Sequence, residues 1–200
     1  MTERITLADM HAVVEMMRRA AKRHVMPSFR CLDCADIRAK SGPLDIVTVA
    51  DEATERDLTT ALQAAWPQAL VVGEEAVAAN PTIVEGLATA DLAFVIDPID
   101  GTANYAAGVP LFGVMVSAVM GGEVAGGAIL DPVCNIAAFA ARGQGAWLED
   151  GTGARRALHV APPVPAREMA GNASWRYLPP ALRDAVPRPL PKGAGSWDFG

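Results

Sequence analysis

The sequence has no apolar run of the length that a membrane-spanning helix needs. Its 200 residues are 51% hydrophobic, but charged residues, Gly and Pro interrupt every apolar stretch before the roughly 20 residues of a spanning helix. The N-terminus opens with polar Thr2, Glu3 and Arg4, and no apolar run with a small-residue cleavage site follows, which argues against a secretory signal. We therefore expect a soluble cytoplasmic protein with no membrane partner.

The sequence also lacks an excess of basic residues. It has 17 Lys and Arg against 23 Asp and Glu, a net charge of −6. A nucleic-acid binder normally presents a basic face, so we do not expect nucleic acid as a partner. A small phosphorylated ligand remains compatible with this charge, because a bound metal ion can neutralise acidic ligands locally.

Cysteine is scarce, and the three residues are Cys31, Cys34 and Cys134. An odd count in a cytoplasmic-looking chain speaks against a disulfide framework. Cys31 and Cys34 form one C-x-x-C with His24 nearby, but a structural zinc site usually needs a second pair of ligands. We interpret these residues as reduced thiols without a structural role.

Periodicity predicts two helices in the first third of the chain. Thr6 and Asp9 resemble a capping box at the start of the first helix, and Pro27 is expected to end it. The second helix is expected at 51–66, before Pro67. The apolar stripe of the first helix is interpreted as core packing; it comprises Met10, Val13, Val14, Met17, Ala20 and Ala21.

Short apolar runs predict the strands. Buried strands are expected at 70–72 and 92–96, and successive sheet strands between 111 and 141. Turns are expected at 121–122 and 131–132. From 161 onward prolines become frequent and periodicity is lost, so we divide the chain into an N-terminal domain, 1–158, and a linker with the start of a second domain, 159–200.

Acidic residues follow both short buried strands. Glu74 and Glu75 come directly after 70–73, and Asp97 and Asp100 come directly after 92–96. Ligands of α/β folds commonly bind at this edge of the sheet. Several carboxylates gathered there would repel one another unless a cation compensated them. Oxygen ligands with open positions for water suit Mg²⁺, which is the cofactor we expect.

The segment 97–102 offers a function for each residue. Pro98 stiffens the turn, the Ile99 carbonyl is a further oxygen ligand, and Gly101 permits close approach of a phosphate to the main chain. Thr102 can orient a water, and the N–H groups of a helix that starts there favour an anion. Taken alone, Asp-Pro and Asp-Gly-Thr are ordinary turn residues. The second acidic cluster at Glu74 favours the metal interpretation.

These motifs resemble the signature of the inositol monophosphatase family. The resemblance rests on Gly73-Glu74-Glu75 followed by Asp97-Pro98-Ile99-Asp100-Gly101-Thr102, and it extends to 40–51 and 143–147. It implies a layered α/β fold of the αβαβα type, two or three Mg²⁺ ions and lithium sensitivity. A homodimer is one oligomeric option, since family members are often dimers, but the sequence does not fix it.

The resemblance also implies roles for individual residues. Glu74, Asp97, the Ile99 carbonyl and Asp100 would bind metal. Thr102, with Glu74 and Asp51, would position the metal-activated water that attacks phosphorus. Gly101 and Thr102, together with Glu74, would bind the phosphate of the substrate. The implied activity is hydrolysis of inositol monophosphate or a related small phosphorylated alcohol.

The substrate and the second metal site are left open. Ala103-Asn104-Tyr105 resembles inositol-phosphate enzymes more than nucleotide-bisphosphate enzymes, yet a 3′(2′),5′-bisphosphate nucleotide, histidinol phosphate or a sugar phosphate remains an alternative substrate. Family members carry a later Trp-Asp, and here Trp197-Asp198 lies almost at the last residue. Since Asp198 has no helix after it, we expect the true second-site aspartate to be missing. A non-catalytic interaction protein or fragment is therefore the second hypothesis.

Overall fold

The computed structural model describes residues 4–42, 45–165 and 168. Their main feature is a seven-stranded mixed sheet. Its strands are β3 Leu70–Gly73, β4 Ala93–Asp100, β5 Gly113–Met120, β6 Glu123–Asp131, β7 Ile136–Ala141, β8 Ala146–Glu149 and β9 Arg155–Leu158. They lie side by side in this order; β3 and β4 are parallel, and each later pair is antiparallel. A separate antiparallel hairpin joins β1 Ile37–Gly42 to β2 Asp45–Thr48.

Helices α1 and α3 pack on one face of the large sheet and form the core with it. The side chains of Met10, Val13 and Met17 on α1 are fully buried, as are Phe94 of β4 and Val114 of β5. The α-helices are α1 Leu7–Ala20, α2 Met26–Ser28, α3 Val49–Ala65, α4 Glu74–Ala79 and α5 Thr102–Ala106, with 3₁₀ segments at Cys34–Asp36 and Pro81–Ala88. The predicted apolar stripe and the predicted capping box of the first helix are both confirmed.

The expected end of the first helix is wrong. A π-helical segment, Ala21–Val25, continues α1 into α2, so Pro27 lies inside the helical run. Pro27 is tolerated because it sits in the first turn of α2, where its missing N–H costs little. The second helix begins at Val49 instead of residue 51, because Thr48 is its N-cap and closes a capping box with Asp51.

The strand expected at 92–96 does not end before the acidic segment. β4 continues through Asp97 to Asp100, so these residues are part of the sheet. Between Asp97 and Asp100 the pairing with β5 shifts by one residue. Asp97 pairs with Met115 and Asp100 pairs with Gly113, so an advance of three residues along β4 corresponds to two residues along β5. A bulge of this kind disrupts the ladder locally and bends the strand. The predicted strand at 70–72, the strands between 111 and 141 and the turns between them are confirmed.

The α/β fold class is confirmed by the mixed sheet and its packed helices. None of the helices in the described part of the chain combines the length and apolar character that crossing a membrane requires. The boundary at 158 and an incomplete second domain stay predictions, because most residues after 165 lie outside the described part.

Candidate active site

The parallel pairing of β3 with β4 brings the two acidic segments together. Gly73 lies opposite Ile96 in this pair, so the next residues, Glu74 and Asp97, occupy neighbouring positions. Glu74 begins α4, while Asp97 continues along β4. The sequence predicted this proximity from the position of each residue after its strand.

The bulge in β4 determines where Asp100 lies. In a regular strand, residues three apart point to opposite faces. The extra residue between Asp97 and Asp100 removes this alternation. Pro98 and Ile99 are buried, while Asp100 is exposed. Asp100 can therefore reach the side of the sheet edge that Asp97 occupies.

Gly101 makes the turn from β4 into α5. Its φ of 84° and ψ of 36° lie in the left-handed region, which glycine adopts without steric cost. A Cβ at this position would lie 2.9 Å from the Leu111 carbonyl oxygen. Both the conformation and the space therefore require glycine, and Thr102 follows as the first residue of α5.

Half-buried Thr102 pairs with buried Asp51 next to the acidic edge. The Thr102 hydroxyl lies 3.2 Å from Asp51 Oδ1 and 2.9 Å from the Ile99 carbonyl oxygen. Asp51 is 1% exposed, and its Oδ2 accepts hydrogen bonds from the Thr48 N–H at 2.9 Å and from the Thr48 hydroxyl. Thr48 thus fixes Asp51, and Asp51 and Ile99 together fix the Thr102 hydroxyl.

Lys40 brings a positive charge to the site from the β1–β2 hairpin. Its ammonium lies 2.8 Å from Glu74 Oε1 and 2.6 Å from Glu75 Oε1. Burial alone would lower the pKa of Lys40, but the hydrogen bonds to Glu74 and Glu75 outweigh it and raise that pKa. Lys40 is therefore charged and partly neutralises the two glutamates.

Negative charge is concentrated around Asp97. Burial raises the pKa of Asp97 to about 7, and the charges of Glu74 and Asp100 act in the same direction. Burial also raises the pKa values of Asp51, Asp100 and Glu75. Carboxylates whose ionised forms are this disfavoured need either protons or a cation.

The residues present fit a divalent cation. Asp97 Oδ1 is buried and has no hydrogen-bond partner among the described residues, although a buried carboxylate oxygen normally has one. Asp100 and Glu74 supply further carboxylate oxygens, and the Ile99 carbonyl lies at the same edge. This set of hard oxygen donors suits Mg²⁺.

The carboxylates of Glu74, Asp97 and Asp100 do not form a compact group of ligand atoms. Among the described residues, such a group is formed instead by His11, Glu15 and Glu149, whose ligand atoms all lie within 4.8 Å of one another. Glu149 is 2% exposed and pairs with Arg18 at 2.6 Å and with Arg155 at 2.5 Å. Two guanidinium groups already compensate Glu149, so we interpret this group as an ion-pair network.

Sequence reasoning missed three residues that shape the site. Lys40 was noticed only as the start of the upstream segment, and Glu75 only as a neighbour of Glu74. Glu55 on α3 was not noticed at all, although its carboxylate accepts backbone hydrogen bonds from Glu75 and Ala76. No local motif marks a long-range contact of this kind. Asp198 lies outside the described residues, so its role stays a prediction.

The sequence matches a family model described as the inositol monophosphatase family, over residues 7–176. The chain belongs to the inositol monophosphatase family. The motif residues around Glu74 and Asp97 lie within the matched range, and the resemblance read from the sequence is confirmed.

Curated relatives include proteins named inositol-1-monophosphatase and Nus factor SuhB. The inositol-1-monophosphatase of Mycobacterium bovis is 39% identical over 117 residues, which cover 58% of this chain and 40% of the relative. A relative named Nus factor SuhB, from Pseudomonas aeruginosa, is 36% identical over 131 residues, which cover 65% of this chain and 46% of the relative. The chain thus spans less than half the length of these relatives.

Solved structures of the family share the fold. The IMPase of Thermotoga maritima aligns with a TM-score of 0.59 at 25% identity, covering 71% of this chain and 51% of that chain. The extragenic suppressor protein SuhB of Bartonella henselae aligns with a TM-score of 0.56 at 27% identity, covering 70% and 52%. The α/β architecture described above is therefore the inositol monophosphatase architecture over the aligned part.

We predict that Asp97 destabilises the metal-free chain as the pH rises. Because the pKa of Asp97 is about 7 in the folded chain and about 3.9 in an unfolded chain, the folded state binds more protons between these values. The contribution of this group to stability is therefore full at low pH and is lost as the pH rises to about 7.

Urea unfolding in the presence of a chelator, at about pH 5 and about pH 8, tests this prediction. The gain in unfolding free energy from Asp97→Asn should be larger at the higher pH. Asp91→Asn, at an exposed position just before the same strand, serves as the control and should show no such change. An equal effect of Asp97→Asn at both pH values would contradict the prediction.

Proposed function

We propose that this chain carries the metal and phosphate site of a Mg²⁺-dependent phosphomonoesterase. Its substrate would be inositol monophosphate or a related small phosphorylated alcohol. The observation that carries the proposal is the buried, unpartnered Asp97 Oδ1 among the charges of Glu74 and Asp100. Glu74, Asp97, Asp100 and the Ile99 carbonyl would hold the metal. The family and the names of the relatives support the reaction class.

Mg²⁺ would supply water activation and charge neutralisation at the phosphate. The Thr102 hydroxyl can donate its proton to Asp51 or to the Ile99 carbonyl, both of which lie within hydrogen-bond distance. Its lone pairs are then left to accept a hydrogen bond from a water molecule. Thr48 fixes Asp51, and Asp51 in turn fixes the orientation of the Thr102 hydroxyl that accepts this hydrogen bond. Thr102 and Asp51 would thereby orient the attacking water, with Glu74 beside it.

The phosphate would bind at the start of α5. The N–H groups of Gly101 and Thr102 lie at a helix start, where donors are not used by the helix itself. Lys40, whose ammonium reaches Glu74, places a positive charge in the same area. These groups would bind the phosphate of the substrate and would not select among alcohols.

The two side chains that favoured an inositol-phosphate substrate in the sequence have structural roles in the fold. Tyr105 is fully buried, and its hydroxyl donates to the Val25 carbonyl at 2.8 Å. Asn104 donates to the Leu111 carbonyl at 2.9 Å. Both stabilise the turn around α5, so the choice among inositol phosphate, a bisphosphate nucleotide and histidinol phosphate does not rest on these side chains.

A non-catalytic interaction protein is the second candidate function. One relative carries the name Nus factor SuhB. In addition, the sheet face opposite α1 and α3 is apolar, with Ile129 53% exposed and Val124 58% exposed. An exposed apolar face of this kind is typical of an association surface.

Asp100→Asn separates the two candidates. It removes a carboxylate from the proposed metal site, so Mg²⁺-dependent hydrolysis of inositol monophosphate and adenosine 3′,5′-bisphosphate should be abolished. Asp91→Asn should retain activity, because Asp91 lies just before the first residue of β4, at the end of the strand far from Asp100. A folded wild-type chain that hydrolyses neither substrate with Mg²⁺ would favour the interaction protein.

Thr102→Val tests the orientation of water. The variant keeps the shape of the side chain but loses the hydroxyl, so kcat should fall by about 100-fold or more, while Mg²⁺ affinity stays at the wild-type value. Thr102→Ser retains the hydroxyl and should keep most of the activity. Steady-state kinetics and calorimetry measure the two quantities. An unchanged kcat in Thr102→Val would rule out this role.

A further inference from the structure

Glu55 is a buried acidic side chain to which the proposed reaction assigns no role. It lies on α3 and is 7% exposed. Its Oε2 accepts a hydrogen bond from the Glu75 N–H at 2.7 Å, and its Oε1 accepts one from the Ala76 N–H at 2.9 Å. These N–H groups belong to the first turn of α4, which lacks a side-chain cap of its own. Glu55 therefore caps α4 from a neighbouring helix.

Gly73 leaves space for the Glu55 carboxylate because it has no side chain. A Cβ on Gly73 would lie 2.1 Å from Glu55 Cδ and 2.3 and 2.5 Å from its two oxygens. The backbone of Gly73, with φ −100° and ψ 156°, is ordinary extended backbone that any residue adopts. Glycine is thus required here for space alone, and the occupant of that space is the Glu55 side chain.

Glu55 adds an acidic side chain next to the segment that holds Glu74 and Glu75. A buried carboxylate is tolerated when hydrogen bonds compensate it, and both oxygens of Glu55 have such bonds. A neutral Gln would remove the charge but would offer one acceptor oxygen in place of two to the N–H groups of Glu75 and Ala76.

We propose that Glu55 is a positioning residue that places Glu74 beside Asp97 and Asp100 for binding the divalent cation. This inference rests on the proposed function. Glu74 lies between Gly73, which Glu55 packs against, and Glu75, whose N–H it binds. Mg²⁺ demands near-ideal ligand geometry, so a small displacement of Glu74 lowers metal affinity. Glu55 itself touches neither metal nor substrate.

Calorimetric titration of the chain with Mg²⁺ and with Mn²⁺ tests the proposal. Glu55→Ala should weaken binding by about 10- to 100-fold, as losses of groups that support metal ligands do. Glu55→Gln keeps one acceptor oxygen and should lie between wild type and Glu55→Ala. The control is Glu85→Ala, which removes the same side chain and charge from an exposed position and should bind like wild type.

A double-mutant cycle with Gly73 distinguishes positioning from general destabilisation. Gly73→Ala should expel the Glu55 carboxylate and weaken metal binding to the same degree as Glu55→Ala. The two changes should then be non-additive, with Gly73→Ala/Glu55→Ala no weaker than either single variant. If Glu55→Ala fails to fold by circular dichroism, Glu55→Gln and Gly73→Ala carry the test. Faster hydrogen exchange of the Glu75 and Ala76 amides in the metal-free variants is the expected second readout.

The outcomes separate this inference from the proposed function. A folded wild-type chain that binds neither ion contradicts the proposed function and the inference with it. Wild-type binding that persists unchanged in Glu55→Ala overturns the inference alone. Additive losses in the cycle, or an equal loss in Glu85→Ala, also overturn it.

Discussion

The repulsion among carboxylates at one edge of the sheet is the constraint on which the rest of the site depends. Glu74 and Asp97 lie side by side because β3 and β4 are parallel, and the bulge in β4 adds Asp100. Burial and mutual repulsion raise the pKa of Asp97 to about 7. Lys40 compensates part of this charge, and Glu55 holds the start of α4, which carries Glu74.

Compensation and positioning come from elements that are distant in sequence. Lys40, on the β1–β2 hairpin, supplies a positive charge to Glu74 and Glu75. Helix α3 supplies Asp51, which holds Thr102, and Glu55, which holds the start of α4. α3 also packs into the core through Leu58 and Leu62. The same helix therefore connects the stability of the fold to the geometry of the site.

Much of this could be predicted from the sequence, because it depends on local patterns. The apolar stripe of α1 and the strands around Gly121-Gly122 follow directly from periodicity and turn residues. The proximity of Glu74 and Asp97 follows from their positions after neighbouring strands. Strand β4 was predicted too short, since Asp and Pro are rare within strands and the bulge that accommodates them leaves no local signal. The contacts of Lys40 and Glu55 depend on packing between distant segments, which no spacing rule contains.

In the described part of the chain, the acidic site adjoins an apolar surface of the sheet. The pairing register places Asp97, Met115 and Ile129 in one row on the sheet face that α1 and α3 do not cover. A groove of about 490 Å³ on this face is lined by Asp97 and Ser117 together with mostly apolar side chains. The chain spans 40% of the length of the Mycobacterium bovis relative.

A crystal structure of the chain soaked in Mn²⁺, with anomalous scattering recorded, tests the central claim most directly. We expect an anomalous peak bonded to carboxylate oxygens of Glu74, Asp97 and Asp100 and to the Ile99 carbonyl, at about 2 Å, close to the Mg²⁺ distance. We also expect the Lys40 ammonium to have left Glu74. A well-ordered site with no peak at saturating Mn²⁺, or a peak only at His11, Glu15 and Glu149, would contradict the account.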